Sequence, residues 1–158
     1  MLEKIEKKLK NFNLPEYVEN TLLFFLALFI ATAIHEASHA LVATILGVKA
    51  GIMHIGLITG ATGVEETTNL NMILIALAGP IGSYLAGLYF WFSEGENSKL
   101  RLLSIFLLLT SSVFQLIPYG VTDGMQAIKY GLNPFIELSL LVFLASVTAN
   151  LFIKEIKT

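Results

Sequence analysis

Residues 22–47 read LLFFLALFIATAIHEASHALVATILG, an apolar run long enough to cross a membrane as a single helix. The run continues well past the small residues at 31–33, so it is too long for the apolar core of a cleaved signal peptide. Its second half contains three ionisable side chains, His35, Glu36 and His39. An unpaired acid at the centre of a membrane helix costs about 2.5–3.5 kcal/mol on insertion scales, so such residues indicate a functional site.

The whole chain has the composition of a membrane protein. Of its 158 residues, 55% are hydrophobic and 14% are charged, against about 25% charged in an ordinary globular protein. This much apolar surface excludes a disordered chain, and the absence of cysteine excludes both a disulfide framework and a Cys-based metal site. Because the net charge is −2, we expect no nucleic-acid partner. Because the composition is so apolar, we expect the lipid bilayer to surround most of the chain.

Three further apolar stretches lie at residues 72–92, 102–117 and 135–153. With the first stretch they predict an all-α, multi-pass integral membrane protein of about four transmembrane helices, which we place in the cell membrane. Pro118 should break the third helix at its end. Residues 1–20, in which Lys and Glu alternate, predict a polar or amphipathic N-terminal segment, and residues 21–158 then form the membrane domain.

The connection between the first two stretches, residues 50–71, has β-branched residues and glycines but almost no helical period. It therefore predicts a strand over residues 52–59, or a short β-hairpin that includes the glycines at 60–63. Because backbone groups at a membrane surface need hydrogen-bond partners, this strand should pack on the protein or pair with another extended chain.

The ionisable residues of the first stretch form the pattern H-E-x-x-H. Positions i and i+4 leave the same face of a helix, so His35 and His39 can bind one metal ion. Glu36 leaves a neighbouring face, where it can take a proton from the water of a hydrolytic zinc site without being a ligand. The alternative, two buried structural histidines beside a stray acid, is disfavoured by the cost of placing all three in an apolar helix.

A hydrolytic zinc ion needs three protein ligands and a water, so a third ligand must lie elsewhere. The remaining candidates are His54, Glu65, Glu66, Asp123 and Glu137. The adjacent glutamates suit a solvated loop, and Glu137 could equally cap or snorkel at the start of the fourth stretch. Asp123 follows the break at Pro118, on the membrane side toward which the first helix carries its histidines. Its alternative role is to N-cap a short helix over residues 126–129.

Three motifs, in this order along the chain, are similar to those of the site-2 protease family of intramembrane zinc metalloproteases. They are His35-Glu36-x-x-His39, then Ala78-Gly79-Pro80, and finally Gln115-Leu116-Ile117-Pro118 followed by Asp123-Gly124. The resemblance implies that His35, His39 and Asp123 bind Zn²⁺ and that Glu36 is the catalytic acid and base. It also implies hydrolysis of peptide bonds in or near transmembrane segments of membrane protein substrates, as in regulated intramembrane proteolysis. The chain resembles a minimal catalytic core without a PDZ or CBS domain.

Two further sets of residues take expected roles from this resemblance. Gln115 stands where the family usually has Asn, so it is expected to hold the substrate or the developing oxyanion. A helical substrate must unwind before its carbonyls can be attacked, and the strand at residues 52–59 could receive the unwound stretch by strand addition. The candidate substrate-binding residues are Ile52, His54, Ile55 and Thr59.

Other interpretations of the sequence stay open at this point. One is a membrane zinc hydrolase of the gluzincin type with Glu137 as the third ligand. Another is a zinc- or proton-handling transporter, or a membrane scaffold without catalytic activity. The orientation is open too, because most Lys and Arg residues lie on the side of the termini, which places the site outside, whereas the resemblance places it near the cytosolic face.

Overall fold

The computed structural model describes residues 14–57, 59–93 and 98–156. In chain order, the elements are α1 (Leu14–Ile45), β1 (Ala50–Ile55), β2 (Gly60–Val64), α2 (Asn69–Ser93), α3 (Ser98–Leu108), a π turn (Leu109–Val113), a 3₁₀ turn (Phe114–Leu116), α4 (Asp123–Lys129) and α5 (Pro134–Ile156). The prediction of a mostly helical membrane protein with a β-hairpin after the first helix is confirmed. Of the polar segment at residues 1–20, residues 14–20 begin α1, and residues 1–13 lie outside the described residues.

The apolar stretches become long helices. Within the described parts of the chain, three helices are long and apolar enough to cross a membrane, at Val18–Ile45, Asn69–Ser93 and Pro134–Lys154. A shorter apolar helix covers Leu100–Leu116, which corresponds to the third stretch. This segment passes from α-helix through a π turn into a 3₁₀ turn and stops at Ile117, whose extended backbone is the conformation favoured before a proline.

The hairpin consists of β1 and β2 paired antiparallel, with Ile52 opposite Thr62 and an irregularity between Ile52 and His54. It lies against the first helix, where the Thr32 hydroxyl is within hydrogen-bond distance of two carbonyl oxygens, that of Leu57 at 3.2 Å and that of Leu28 in its own helix at 3.1 Å. The second strand, Gly60–Val64, occupies the glycine-containing segment at the end of the predicted strand region. The hairpin therefore lies against α1 beside the H-E-x-x-H motif.

The core lies where the broken third helix packs between its neighbours. Leu108, Val113 and Leu116 form one buried apolar cluster with Tyr84 of α2 and Leu144 of α5. The Tyr84 hydroxyl donates to the Leu144 carbonyl at 3.0 Å, so the buried polar group is satisfied while it joins two helices. This packing fixes the position of residues 109–116, which border the candidate site.

Candidate metal centre

His35, His39 and Asp123 converge on one point, although Asp123 is distant from the two histidines in sequence. His35 Nε2 lies 2.8 Å from Asp123 Oδ2, and His39 Nε2 lies 3.5 Å from Asp123 Oδ1. The two Nε2 atoms are 3.1 Å apart. Among the described residues, these three form the one group of His, Cys, Asp or Glu side chains that could hold a metal ion, with ligand atoms all within 4.8 Å of one another.

The other ring nitrogen of each histidine is held by the backbone. His35 Nδ1 lies 2.7 Å from the Ser111 carbonyl oxygen, and His39 Nδ1 lies 2.6 Å from the Ile75 carbonyl oxygen. A carbonyl can only accept, so each Nδ1 carries the proton and each neutral ring presents a lone pair at Nε2. Hydrogen bonds of this kind fix the orientation of ligating histidines in metal sites.

This arrangement fits a divalent cation. Two imidazole lone pairs and a carboxylate face one another in a buried space, and Asp123 Oδ2 accepts no hydrogen bond there. Lone pairs in such proximity repel one another unless a proton or a cation lies between them. Two nitrogens and one carboxylate oxygen are a ligand set that zinc accepts in catalytic sites, where a fourth position remains for water.

A neighbouring residue, and not Asp123, caps the short helix α4. Thr122 is the N-cap of α4 and its hydroxyl accepts from the Met125 amide at 3.4 Å. Asp123 is the first residue of that helix, so the sequence alternative of Asp123 as the N-cap is wrong. Its carboxylate points instead toward α1.

Gly79 of α2 keeps the space beside the two rings open. A Cβ atom at Gly79 would lie 2.6 Å from His35 Nε2 and closer still to His39 Nε2, so it would overlap the space that an ion bound by both rings needs. Gly82, one turn further along, lies against Ser38 in the same way but away from the ligand atoms. The Ala78-Gly79-Pro80 motif thus lets the helices pack closely and leaves space for a metal ion between the two histidine rings.

Glu36 is buried beside the three converging residues but is not one of them. Its carboxylate oxygen Oε2 accepts a hydrogen bond from the Thr62 hydroxyl at 2.8 Å. Gly60 approaches so closely that a Cβ there would lie 2.6 Å from Glu36 Cδ. The second strand of the hairpin therefore lies directly against this carboxylate.

Two cavities meet at Glu36. The larger, about 310 Å³, is lined by β2 on one side and α4 on the other, with Glu36, His39, Thr62, Asp123, Gln126 and Tyr130 among its walls. The smaller, about 130 Å³, includes Thr32, His35, Glu36, Gly60 and Gln115 in its lining. The predicted catalytic Gln115 thus lies half-buried in a cavity shared with His35 and Glu36.

Most of the other candidate residues lie away from the converging group. His54, Glu65 and Glu66 are exposed. Glu137 is 1% exposed, and neither of its carboxylate oxygens has a hydrogen-bond partner in the part of the chain that the structure describes. It lies behind Gly124 and outside the group formed by the histidines and Asp123.

The predicted substrate-binding residues Ile52, His54, Ile55 and Thr59 belong to β1 and the hairpin turn. The larger cavity is bordered by the other strand, at Gly60, Ala61, Thr62 and Val64. Strand β2 is therefore the part of the hairpin that contacts the Glu36 side chain, through Gly60 and Thr62.

Sequence reasoning missed the groups that hold the site in place. The carbonyls of Ser111 and Ile75 accept from the histidines, and Thr62 donates to Glu36. A signal existed for one of them, since the polar run 110–112 interrupts an apolar stretch. The π turn at Leu109–Val113 includes Ser111, and such turns are frequent at functional sites.

One comparison with known proteins gives a match. The family described as Peptidase M50B-like matches residues 17–128, a range that includes His35, Glu36, His39 and Asp123. No curated protein and no solved structure matches the chain.

Proposed function

Because this chain belongs to the M50B-like peptidases, a site-2 protease family of membrane metalloproteases, we propose that it is an intramembrane zinc endopeptidase. Its substrates are membrane proteins with a transmembrane helix, and it cleaves peptide bonds in or near that helix, as regulated intramembrane proteolysis requires. The observation that carries the proposal is the convergence of lone pairs from His35, His39 and Asp123 beside the buried Glu36.

In this mechanism, His35, His39 and Asp123 would hold the zinc ion and Glu36 would move the proton. Zinc, when bound, lowers the pKa of water to about 7 and polarises a carbonyl group. The Ser111 and Ile75 carbonyls keep the histidine rings oriented, so that both Nε2 lone pairs stay directed at the ion. Glu36 accepts the proton of the attacking water and returns it to the leaving amine.

Gln115 is the candidate for stabilising the oxygen that becomes negative during the reaction. Its side-chain amide is a hydrogen-bond donor and lies in the smaller cavity together with His35 and Glu36. Removing one such donor from a hydrolase costs about 2.7–4 kcal/mol of transition-state stabilisation.

The hairpin offers a place for an unwound substrate. The sheet has the order β1-β2, so within the described residues β2 has one edge without a strand beside it. That strand also borders the cavity of about 310 Å³ that contains Glu36 and Asp123. An extended substrate that pairs with β2 would bring its carbonyls toward these residues, and Ile52, His54, Ile55 and Thr59 of β1 and the turn are the further candidates for substrate contact.

The chain is an integral membrane protein by its family and its apolar helices. We place it in the cell membrane with four crossings, in which residues 100–116 form the third. This crossing is short and ends in the π and 3₁₀ turns that border the smaller cavity, and irregular backbone is tolerated inside a membrane where it borders such a cavity.

Removing the metal tests the function directly. Purified protein in liposomes, together with a panel of single-span membrane proteins, is expected to release fragments that disappear with a zinc chelator and return when zinc is added. The measurement is the fragment yield under the three conditions. Fragments that persist at the same yield in the presence of the chelator contradict the proposal.

A further inference from the structure

The hydroxyl of Thr62 is directed at Glu36 from the hairpin. It donates to the Glu36 carboxylate oxygen Oε2 at 2.8 Å, and it lies 3.1 Å from the backbone carbonyl oxygen of the same residue. Both acceptors therefore belong to one residue, which lies in a different secondary-structure element. A hydrogen bond to an ionised carboxylate is about twice as strong as one between neutral groups.

The local sequence of β2 explains how this contact forms. Alternate residues of a strand lie on the same face, so Gly60 and Thr62 both face α1. Because Gly60 has no side chain, the strand approaches Glu36 closely, and a Cβ at that position would lie 2.6 Å from Glu36 Cδ. The Thr32 hydroxyl of α1 lies 3.2 Å from the Leu57 carbonyl oxygen, so the segment before β2 also contacts this helix. The strand is therefore held where Thr62 reaches the carboxylate.

The two oxygens of the carboxylate have different surroundings. Oε2 accepts the hydrogen bond from Thr62, whereas no described residue donates a hydrogen bond to Oε1. Glu36 borders both cavities, so its carboxylate can be reached by water and by substrate. Oε2 is held by Thr62, whereas Oε1 lies beside Gly60, where the missing side chain leaves room for water next to this oxygen.

We propose that Thr62 is a positioning residue for the general base: its hydroxyl fixes the orientation of the Glu36 carboxylate so that the other oxygen faces the reacting water. This proposal rests on the proposed function. It also gives the hairpin a second role, because the strand that offers its edge to the substrate is the strand that orients the base. A bond that only fastened the hairpin to α1 would leave the chemical step unaffected.

The test is the kinetics of three threonine variants in the full-length protein, with zinc content measured for each. Thr62→Val keeps the shape of the side chain and removes the hydroxyl, and Thr62→Ser keeps the hydroxyl. Thr44→Val is the matched control, since Thr44 is exposed on the same helix as Glu36 and its hydroxyl, among the described residues, donates only to the Ala40 carbonyl. All three variants should bind zinc at the wild-type level.

We expect Thr62→Val to lower kcat by about 10-fold or more with KM unchanged, because a small displacement of a catalytic group can cost up to about 10²-fold. Thr62→Ser should restore most of the rate, and Thr44→Val should behave like the wild type. A wild-type kcat in Thr62→Val, a change in KM alone, or a Thr62→Ser variant as slow as Thr62→Val overturns the proposal.

Failure of this inference and failure of the proposed function give different results. If the wild-type protein cleaves no substrate, the protease function fails, whereas a cleaving wild type with an equally fast Thr62→Val variant removes only the role of Thr62. If Thr62→Val does not fold, an experimental structure of the wild type decides, and a distance beyond 3.5 Å between Thr62 Oγ1 and the Glu36 carboxylate overturns the proposal.

Discussion

Substituting Glu36→Gln is expected to abolish cleavage while zinc remains bound. Glutamine has the size of glutamate and its amide oxygen can still accept the hydrogen bond from Thr62, but it cannot accept a proton from water. Loss of a general base lowers the rate by about 10²–10⁴-fold. Zinc binding should persist because Glu36 is not among the three converging residues. The measurements are kcat on a cleaved membrane substrate and the zinc content of the purified variant.

A second charge-neutralising substitution controls for this result. Glu66→Gln changes an exposed glutamate after the hairpin and is expected to keep both the rate and the zinc of the wild type. If Glu36→Gln cleaves as fast as the wild type, Glu36 is not the base. If it loses its zinc, the assignment of Glu36 as a group beside the metal, rather than a ligand, is wrong.

Substituting Gly79→Ala is expected to remove zinc binding. The added methyl group would lie 2.6 Å from His35 Nε2 and closer to His39 Nε2, where the ion must be about 2.0–2.1 Å from each nitrogen. The methyl group and the ion would therefore compete for the same space. Mutation of groups that only hydrogen-bond to the ligands costs about 10–100-fold in metal affinity, and we expect this direct overlap to cost at least as much. Zinc content after dialysis at a buffered zinc concentration measures the effect.

Gly82→Ala is the matched control for Gly79→Ala. It adds the same methyl group to the same helix and forces it against Ser38, away from the ligand atoms. Both variants should lose stability, because overpacking of this kind typically costs about 1–3 kcal/mol. Only Gly79→Ala should lose zinc. Equal zinc content in the two variants would show that the glycine at 79 serves helix packing alone.

The fold was largely predictable because long apolar stretches have few alternatives in a membrane. The helices Asn69–Ser93 and Pro134–Ile156 begin and end close to the predicted stretches, and the break before Pro118 follows from proline geometry. The hairpin was predicted from β-branched residues and glycines. The strand next to the site was not, since a hydrophobic pattern does not indicate which of two paired strands borders the cavity beside Glu36.

The part of the site formed by residues close together in sequence could be predicted. Helical spacing places His35 and His39 on one face, whatever surrounds them. Asp123 is far away in sequence, so only its position after the helix break and the family resemblance indicated it. The Ser111 and Ile75 carbonyls could not be predicted, because every residue has a carbonyl and only the tertiary structure determines which one faces a histidine.

Zinc content of the purified wild type and two acid variants, Asp123→Ala and Glu137→Gln, tests the central claim most directly. The wild type should bind one zinc per chain, Asp123→Ala should lose it, and Glu137→Gln should keep it because Glu137 lies outside the converging group. Full zinc in Asp123→Ala, or its loss in Glu137→Gln alone, would contradict the claim that His35, His39 and Asp123 hold the metal.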